Sequence, residues 1–317
     1  MNKKGIQLIY KDFCFQKNKT LINHIFSSQI MNEKEWKSFI NSIENDFDNL
    51  ETNKVRAKRI LKEKIINSIK NNATNNNGVL FSGGIDSTLI SLILKKLNIS
   101  FSCYSVGLEN SLDIKYAEKI AKELGFKLKT KILSLKEFEK TIKNTIKILN
   151  EADVTKVSVA TVVYSASLLA KNDNVITLLS GLGSEEIFAG YQRHENAFDN
   201  GFEALHKECW NGLKQIWSRD IKRDLLISKA NNITLKLPFL DKDVIKSAMG
   251  IHPMYKLDKN NNKIILREIA EDLGLRKEFA WRKKKAAQYG SNFIKGIDKL
   301  AKNQGFNYKK DYLTSLL

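Results

Sequence analysis

The chain has 317 residues, of which 42% are hydrophobic and 28% are charged. This composition is typical of a globular protein and excludes a disordered, collagen-like or mucin-like chain. The 53 Lys and Arg outnumber the 35 Asp and Glu, so the formal net charge is +18. Such an excess favours anionic partners such as nucleotides, RNA or an acidic protein. A genome-wide preference for Lys, Asn and Ile codons would produce the same excess.

The sequence predicts a cytoplasmic protein without a membrane partner. No apolar run approaches the roughly 20 residues that cross a bilayer, and no signal-type apolar core follows the first residues. Cys14, Cys103 and Cys209 lie far apart in the sequence. This spacing excludes a disulfide framework and a thiolate metal site, and it favours buried cysteines.

The first part of the chain differs from the rest. The pattern at 6–15 predicts a strand, a turn near Asn18 leads to a second strand at 21–26, and the pattern at 33–48 predicts a helix. We therefore expect residues 1–54 to form a small N-terminal extension, a hairpin plus a helix, and residues 55–317 to form the main domain.

After Gly78 apolar strands alternate with amphipathic helices, which predicts an α/β fold with a parallel sheet flanked by helices. The part after residue 180 is expected to be largely helical, with a Pro-containing break at 235–241. The predicted strands are 78–81, 101–106, 127–133 and 175–179, and the predicted helices are 53–70, 87–97, 112–124, 135–149 and 155–170.

The first motif is a Gly-rich turn, SGGIDS at residues 82–87, between a predicted strand and a predicted helix. Its paired glycines let backbone N–H groups approach an anion, and the hydroxyls of Ser82 and Ser87 donate further hydrogen bonds. The turn is therefore expected to cradle phosphate. No Lys follows the glycines, which excludes a Walker A loop. A simple strand-to-helix turn with a Ser or Asp cap is the structural alternative.

The second motif, LSGLGSEEIFAGY at residues 179–191, follows the last predicted strand. It places two adjacent carboxylates, Glu185 and Glu186, beside a Gly-rich turn. Mg²⁺ takes few protein oxygens and completes its shell with phosphate and water, so these carboxylates suit a magnesium ion that bridges phosphate oxygens. An acidic helix start that complements the helix dipole is the structural alternative.

These two motifs resemble those of a known family. SGGIDS is similar to the pyrophosphate loop of the N-type ATP pyrophosphatases, and the second motif resembles the asparagine synthetase pattern S-G-x-G-x-D/E-E-x-F-x-G-Y. The resemblance implies an adenine nucleotide alpha hydrolase-like (PP-loop) fold. Further elements of that family recur in the same order, at Val106-Gly107, Asp113, Glu151 to Asp153, Pro238 to Asp241, Lys263 to Arg267 and Ala280 to Lys284.

The resemblance also implies roles for individual residues, with ATP and Mg²⁺ as cofactors. Asp86 and Glu185 are the expected metal ligands. Lys284 and Arg282 are the expected catalytic residues, because cations there would stabilise the negative charge that develops as pyrophosphate departs. The residues expected to bind ATP and pyrophosphate are Leu80, Ser82, Gly83, Gly84, Asp86, Ser87, Val106, Gly107, Ser180 and Gly181.

Three departures from the family concern the second substrate. Glutamine-using members begin with a nucleophilic Cys after the initiator Met, whereas this sequence has Asn2. We therefore expect a stand-alone form without a glutaminase domain. Leu182 replaces a glutamate and Ser158 replaces an arginine, and Leu cannot accept a proton. The candidate residues of the acceptor pocket are Leu182, Ser158, Glu186 and Asp241.

The leading hypothesis is an ATP-dependent, AMP-forming ligase that adenylates a small carboxylate and passes it to ammonia or an amine. The nitrogen would come from free ammonia, an amine-bearing acceptor or a separate glutaminase. One alternative is modification of tRNA or another RNA bound by basic termini, because residues 276–317 carry 11 basic and 3 acidic side chains and residues 1–77 carry 14 and 8. A degenerate nucleotide-binding protein is the other alternative.

Overall fold

The computed structural model describes residues 31–47, 49–283 and 286–317. The hairpin predicted at 6–26 and the predicted catalytic residue Lys284 lie outside these residues. None of the helices within the described ranges is both long and apolar enough to cross a membrane.

A five-stranded parallel sheet forms the centre of the protein, with the strand order β3-β2-β1-β4-β5. Each of the four predicted strands is confirmed, with ends that differ by at most two residues. The strands are β1 (Asn77–Leu80), β2 (Phe101–Gly107), β3 (Leu128–Ile132), β4 (Thr177–Leu179) and β5 (Thr234–Lys236).

Helices flank this sheet and dominate the part after β4, so the predicted fold class is confirmed. A π-helical turn lies at Trp217–Ile221, and 3-10 turns lie at Pro238–Leu240 and Pro253–Tyr255. The α-helices of the described ranges are α1 (Glu33–Glu44), α2 (Lys54–Asn72), α3 (Ile85–Lys96), α4 (Leu112–Leu124), α5 (Leu135–Leu149), α6 (Val154–Asn172), α7 (Ser184–Ile187), α8 (Gln192–Phe198), α9 (Phe202–Ile216), α10 (Lys222–Ala230), α11 (Lys242–Met249), α12 (Ile264–Asp272), α13 (Lys277–Ala280), α14 (Ala287–Gly290), α15 (Phe293–Asn303) and α16 (Lys309–Thr314).

Helices α4 and α5 have the ends that the sequence predicts, because capping residues set them. Ser111 precedes α4 and its hydroxyl accepts a hydrogen bond from the Ile114 N–H, while Gly125 ends the helix with a φ of 63°. Ser134 and Glu137 form a capping box at the start of α5. Such local signals fix helix ends largely independently of the rest of the fold.

Strand β5 was not predicted, and its region was interpreted only as a Pro-containing break. The strand has three residues, of which Thr234 is exposed and Leu235 is buried. It hydrogen-bonds to β4 and is followed at once by the turn at Pro238–Leu240. Three residues are too few for the alternation of apolar and polar residues to identify a strand.

Helix α1 packs into the same hydrophobic core as the sheet. Trp36, Ile40 and Ile43 are buried in one cluster with Val79 of β1. The indole N–H of Trp36 also donates a hydrogen bond of 2.7 Å to the Leu213 carbonyl on α9. The division of the chain at residues 54 and 55 stays a prediction.

Among the described strands, β3 forms one edge of the sheet and pairs with β2. Its side chains Lys129, Thr130, Lys131 and Ile132 are all exposed. Lys129 lies 3.6 Å from the Asp173 carboxylate, and Lys131 lies 2.8 Å from that of Glu137. The edge therefore carries two exposed lysines, each beside a carboxylate.

Candidate active site

The crevice between β1 and β4 is where the strand order reverses. From β1 the chain continues to β2 and β3 on one side, whereas β4 and β5 lie on the other. The two strands are parallel, with Val79 opposite Leu179, so the turns that follow them leave the same edge of the sheet. Open α/β sheets bind ligands at such a point, outside the carboxyl ends of the strands.

The first turn, at residues 82–87, is held by its own hydroxyls. The N–H of Gly84 donates to the Ser82 hydroxyl at 3.4 Å, and the Ser87 hydroxyl donates to the Gly84 carbonyl at 3.2 Å. Gly83 has a φ of 64°, and a Cβ there would lie 2.9 Å from the Tyr116 carbonyl carbon. The turn thus requires glycine, and it leads into the N-terminus of α3, a favourable place for an anion.

The second turn, at residues 180–184, lies directly against the first. The Leu182 N–H donates to the Ser180 hydroxyl at 3.3 Å, and Gly183 has a φ of 95°. A Cβ on Gly181 would lie 2.7 Å from the Cβ of Asp86. The two motifs that the sequence singled out therefore meet at one point.

Lys263 joins the two turns at that point. Its ammonium lies 2.8 Å from each carboxylate oxygen of Asp86, 2.8 Å from Glu185 Oε1 and 3.0 Å from the Ser184 hydroxyl. The side chain is 4% exposed. Burial alone would lower the pKa of Lys263, and the neighbouring carboxylates of Asp86 and Glu185 raise it above the ordinary lysine value. Lys263 is therefore a charged ammonium between the two predicted metal ligands.

Arg267 holds the segment that carries Arg282. Its guanidinium donates to the Ala280 carbonyl at 2.6 Å, to the Arg282 carbonyl at 3.2 Å and to the side chain of Asn262 at 3.0 Å. Arg282 donates in turn to the Gly83 carbonyl at 2.9 Å, and its guanidinium lies 3.9 Å from the centre of the Tyr116 ring. Arg282 is thus fixed against the first turn, and burial lowers its pKa.

A cavity of about 300 Å³ opens where these groups converge. Within the described ranges no group of three or more His, Cys, Asp or Glu side chains is arranged to hold a metal ion. Asp86 and Glu185 suit Mg²⁺, which keeps water and phosphate oxygens as its other ligands. Charged residues that line the cavity are Asp86, Glu185, Glu195, Lys263, Arg267, Arg282 and Lys283.

The other residues predicted to bind nucleotide lie at strand ends near the crevice. Leu80 ends β1, and Val106 and Gly107 end β2. Val106 is buried, and a Cβ on Gly107 would lie 2.5 Å from the Ser111 side chain, so this strand end is closely packed. Their contact with a nucleotide stays a prediction, as does the role of Lys284 outside the described residues.

Three of the four acceptor-pocket candidates have local structural partners. The Ser158 hydroxyl is buried and donates to the Thr155 carbonyl at 2.9 Å. Asp241 caps α11 by accepting from the Asp243 N–H at 2.9 Å, and burial raises its pKa. Leu182 is half-buried and packs against the core. Their roles toward a substrate stay predictions.

Glu186, the fourth candidate, lies in a buried ion-pair network. Its Oε1 accepts a hydrogen bond from Arg219 on the π-helical turn and lies 3.5 Å from Arg193. Its Oε2 is buried and has no hydrogen-bond partner among the described residues. Burial raises the pKa of Glu186 to about 7, although the Arg219 charge opposes this shift. Neither arginine could be predicted from the sequence, because they lie 7 and 33 residues away from Glu186 and form no motif with it.

We expect the stability of the protein relative to a Glu186→Gln variant to fall as the pH rises. The pKa is about 7 in the folded protein and has an ordinary value of 4.5. Above about pH 4.5 Glu186 ionises in the unfolded chain, whereas in the folded protein it stays protonated until about pH 7. The free energy of unfolding of the wild type therefore falls by up to about 3 kcal/mol by pH 8. Urea unfolding of both proteins between pH 4.5 and 8 measures this difference. A constant difference would show that Arg219 keeps Glu186 ionised throughout.

A parallel sheet with two Gly-rich turns and paired carboxylates at its reversal point defines an α/β protein with a site suited to phosphate. The sequence pattern of the asparagine synthase family matches residues 61–203 and 198–305. These matches cover most of the chain, which therefore belongs to the asparagine synthase family.

Individual relatives agree with this assignment. A Methanocaldococcus jannaschii protein, named as a candidate glutamine-hydrolyzing asparagine synthetase, is 35% identical over 80% of this chain and 52% of its own length. The glutamine-hydrolyzing asparagine synthetase B of Escherichia coli is 31% identical over 78% of this chain and 47% of its own. The chain thus spans about half the length of these relatives.

Among solved structures, the U34-tRNA thiolase NcsA of Methanococcus maripaludis is 14% identical with a TM-score of 0.39, and the match covers 81% of this chain and 77% of that one. A likeness at this level has no bearing on function.

Proposed function

We propose that the protein is an ATP-dependent, AMP-forming ligase. A carboxylate oxygen of the acceptor attacks the α-phosphorus of ATP, an acyl adenylate forms and pyrophosphate leaves. Ammonia or an amine then attacks the acyl carbon, an amide bond forms, AMP leaves and the nitrogen loses a proton. Adenylation supplies the leaving group that a free carboxylate lacks.

One observation carries this proposal: Asp86 and Glu185, which follow two adjacent parallel strands, both lie 2.8 Å from the same ammonium. Two carboxylates around one cation are a donor set that fits Mg²⁺. When bound there, the metal would neutralise phosphate charge during adenylation.

The neighbouring residues would bind and orient the triphosphate. Backbone N–H groups at 82–87 and the N-terminus of α3 would hold phosphate oxygens. Arg282, which is fixed against Gly83, would stabilise the charge that accumulates on pyrophosphate. Because Arg267 holds the Arg282 carbonyl, this cation is placed before substrate binds.

The side of the site that would bind the acceptor and the nitrogen donor departs from the family pattern. The family suggests aspartate as the acceptor and an amide as the product. Leu182, at the position of the family's glutamate, cannot accept a proton from the incoming nitrogen. We therefore propose that the acceptor differs from aspartate and that the incoming nitrogen loses its proton to a group other than the side chain of residue 182. Free ammonia, an amine or a separate glutaminase would supply the nitrogen.

The test is release of pyrophosphate and AMP from Mg-ATP, measured with each amino acid in the presence and absence of ammonium. The proposal expects equal amounts of AMP and pyrophosphate, released only when a carboxylate substrate is present. Release that depends on tRNA would favour the RNA-modifying alternative. Calorimetric binding of Mg-ATP without release under any condition would indicate a nucleotide-binding protein and overturn the proposal.

A further inference from the structure

Lys263 occupies the position where the proposed function requires a metal ion. Its ammonium touches Asp86 and Glu185, the two expected ligands, and lies in the same cavity. We propose that Lys263 is a tethered counter-cation of the nucleotide-free protein, so that a divalent cation binds these carboxylates only together with a nucleotide. This inference rests on the metal site of the proposed function.

The contacts of Lys263 are complete. A lysine ammonium has three N–H donors, and here acceptors come from three side chains, those of Asp86, Glu185 and Ser184. With 4% of its surface exposed, the side chain has little access to water. A hydrated metal ion must therefore displace a fully bonded, buried cation.

Charge opposes that displacement when no nucleotide is present. The two carboxylates and the ammonium together carry one negative charge, against two for the carboxylates alone. A divalent cation would also be repelled by the ammonium, and this repulsion is strong in a poorly solvated site. Removing the ammonium from its partners leaves it buried and unpaired, which is costly.

A triphosphate removes both obstacles. Its oxygens complete the shell of the metal, which takes only a few ligands from the protein. They would also accept hydrogen bonds from the Lys263 ammonium, since lysine is an effective partner for phosphate. Lys263 can therefore leave the carboxylates without losing an anionic partner. The basic residues Arg282 and Lys283 line the same cavity and favour an anion there.

The close packing at Gly190 independently supports a built-in ammonium position. A Cβ at residue 190 would collide with Glu185 Oε2 and would lie 2.5 Å from Lys263 Cε. A side chain at residue 190 would therefore force the ends of the Glu185 and Lys263 side chains to move from their present contact. Gly190, to which the phosphate interpretation of the second motif gives no role, thus leaves space for the contact between Glu185 and Lys263.

The test is binding of Mn²⁺ to the nucleotide-free protein, measured by electron paramagnetic resonance. Lys263→Met is expected to bind Mn²⁺ at least tenfold more tightly than the wild type. Lys302→Met is the matched control, since it removes an equal charge from an exposed lysine that pairs with Asp298 on α15, outside the residues that line the cavity, and it is expected to leave Mn²⁺ affinity within about twofold. Equal affinity of the wild type and Lys263→Met would overturn the inference.

Two further measurements distinguish failure of this inference from loss of folding and from failure of the proposed function. Circular dichroism checks that Lys263→Met is folded. Lys263→Gln, which keeps a hydrogen-bond donor, is measured in parallel and is also expected to gain Mn²⁺ affinity. The wild type should bind Mn²⁺ once α,β-methylene ATP is added. If Lys263→Met gains Mn²⁺ affinity but no protein binds the nucleotide, the counter-cation role of Lys263 stands, whereas nucleotide-dependent metal binding and the proposed function both fail.

Discussion

Asp86→Asn is expected to lower the rate of ATP-dependent pyrophosphate release by about 10² to 10³-fold. The substitution keeps the size of the side chain and removes one of the two carboxylates that face the shared cation position. Loss of one preorganised electrostatic contact to a transition state costs about 3 to 4 kcal/mol, which gives a rate effect of this size.

The measurement is a coupled assay of pyrophosphate with saturating ATP and the substrate found in the amino-acid screen. Asp298→Asn is the control, because this half-buried carboxylate on α15 pairs with Lys302 and lines no part of the cavity. It should keep the wild-type rate. Activity of Asp86→Asn within threefold of the wild type would remove Asp86 from the reaction and, with it, the metal assignment.

Arg267→Met should lower both stability and activity. The guanidinium donates to the carbonyls of Ala280, Arg282 and Asn262. Hydrogen bonds from a charged donor contribute about 1.5 to 3 kcal/mol each, so losing those to buried carbonyls should cost at least about 3 kcal/mol of unfolding free energy. Arg282 would lose its fixed position, and we expect about a hundredfold slower pyrophosphate release.

Thermal and urea unfolding measure the first effect, and the pyrophosphate assay measures the second in protein that remains folded. Arg276→Met is the matched control. This arginine lies just before α13 and pairs with Glu123 and Glu278 at the surface, where ion pairs contribute about 0 to 1 kcal/mol. If Arg267→Met were as stable and as active as this control, Arg267 would not position the Arg282 segment.

Local patterns predicted most of the fold. Helices α4 and α5 were predicted residue for residue, since Ser111, Gly125 and the Ser134 capping box carry their own end signals. Strand β5 was missed, because its identity comes from pairing with β4 rather than from its three residues. Strand order could not be read from the sequence, since it depends on contacts between distant segments.

The candidate site was predicted only where its residues form motifs. Asp86 and Glu185 belong to the two Gly-rich motifs, so their chemistry could be inferred from the sequence without knowing the distance between their carboxylates. Lys263 was noticed only as part of a family element and received no role. Its contact with Asp86 spans 177 residues of chain, and no local pattern indicates which distant carboxylate a lysine will reach.

The charged edge strand β3 affects how copies of the protein can associate. Among the described strands β3 pairs only with β2, and its other side would offer a template for a strand of a second molecule. Lys129 and Lys131 place charged groups on that edge, each beside a carboxylate, so a strand that pairs there would have to take these charges out of water. Charged side chains on an edge strand disfavour strand pairing between copies of a protein.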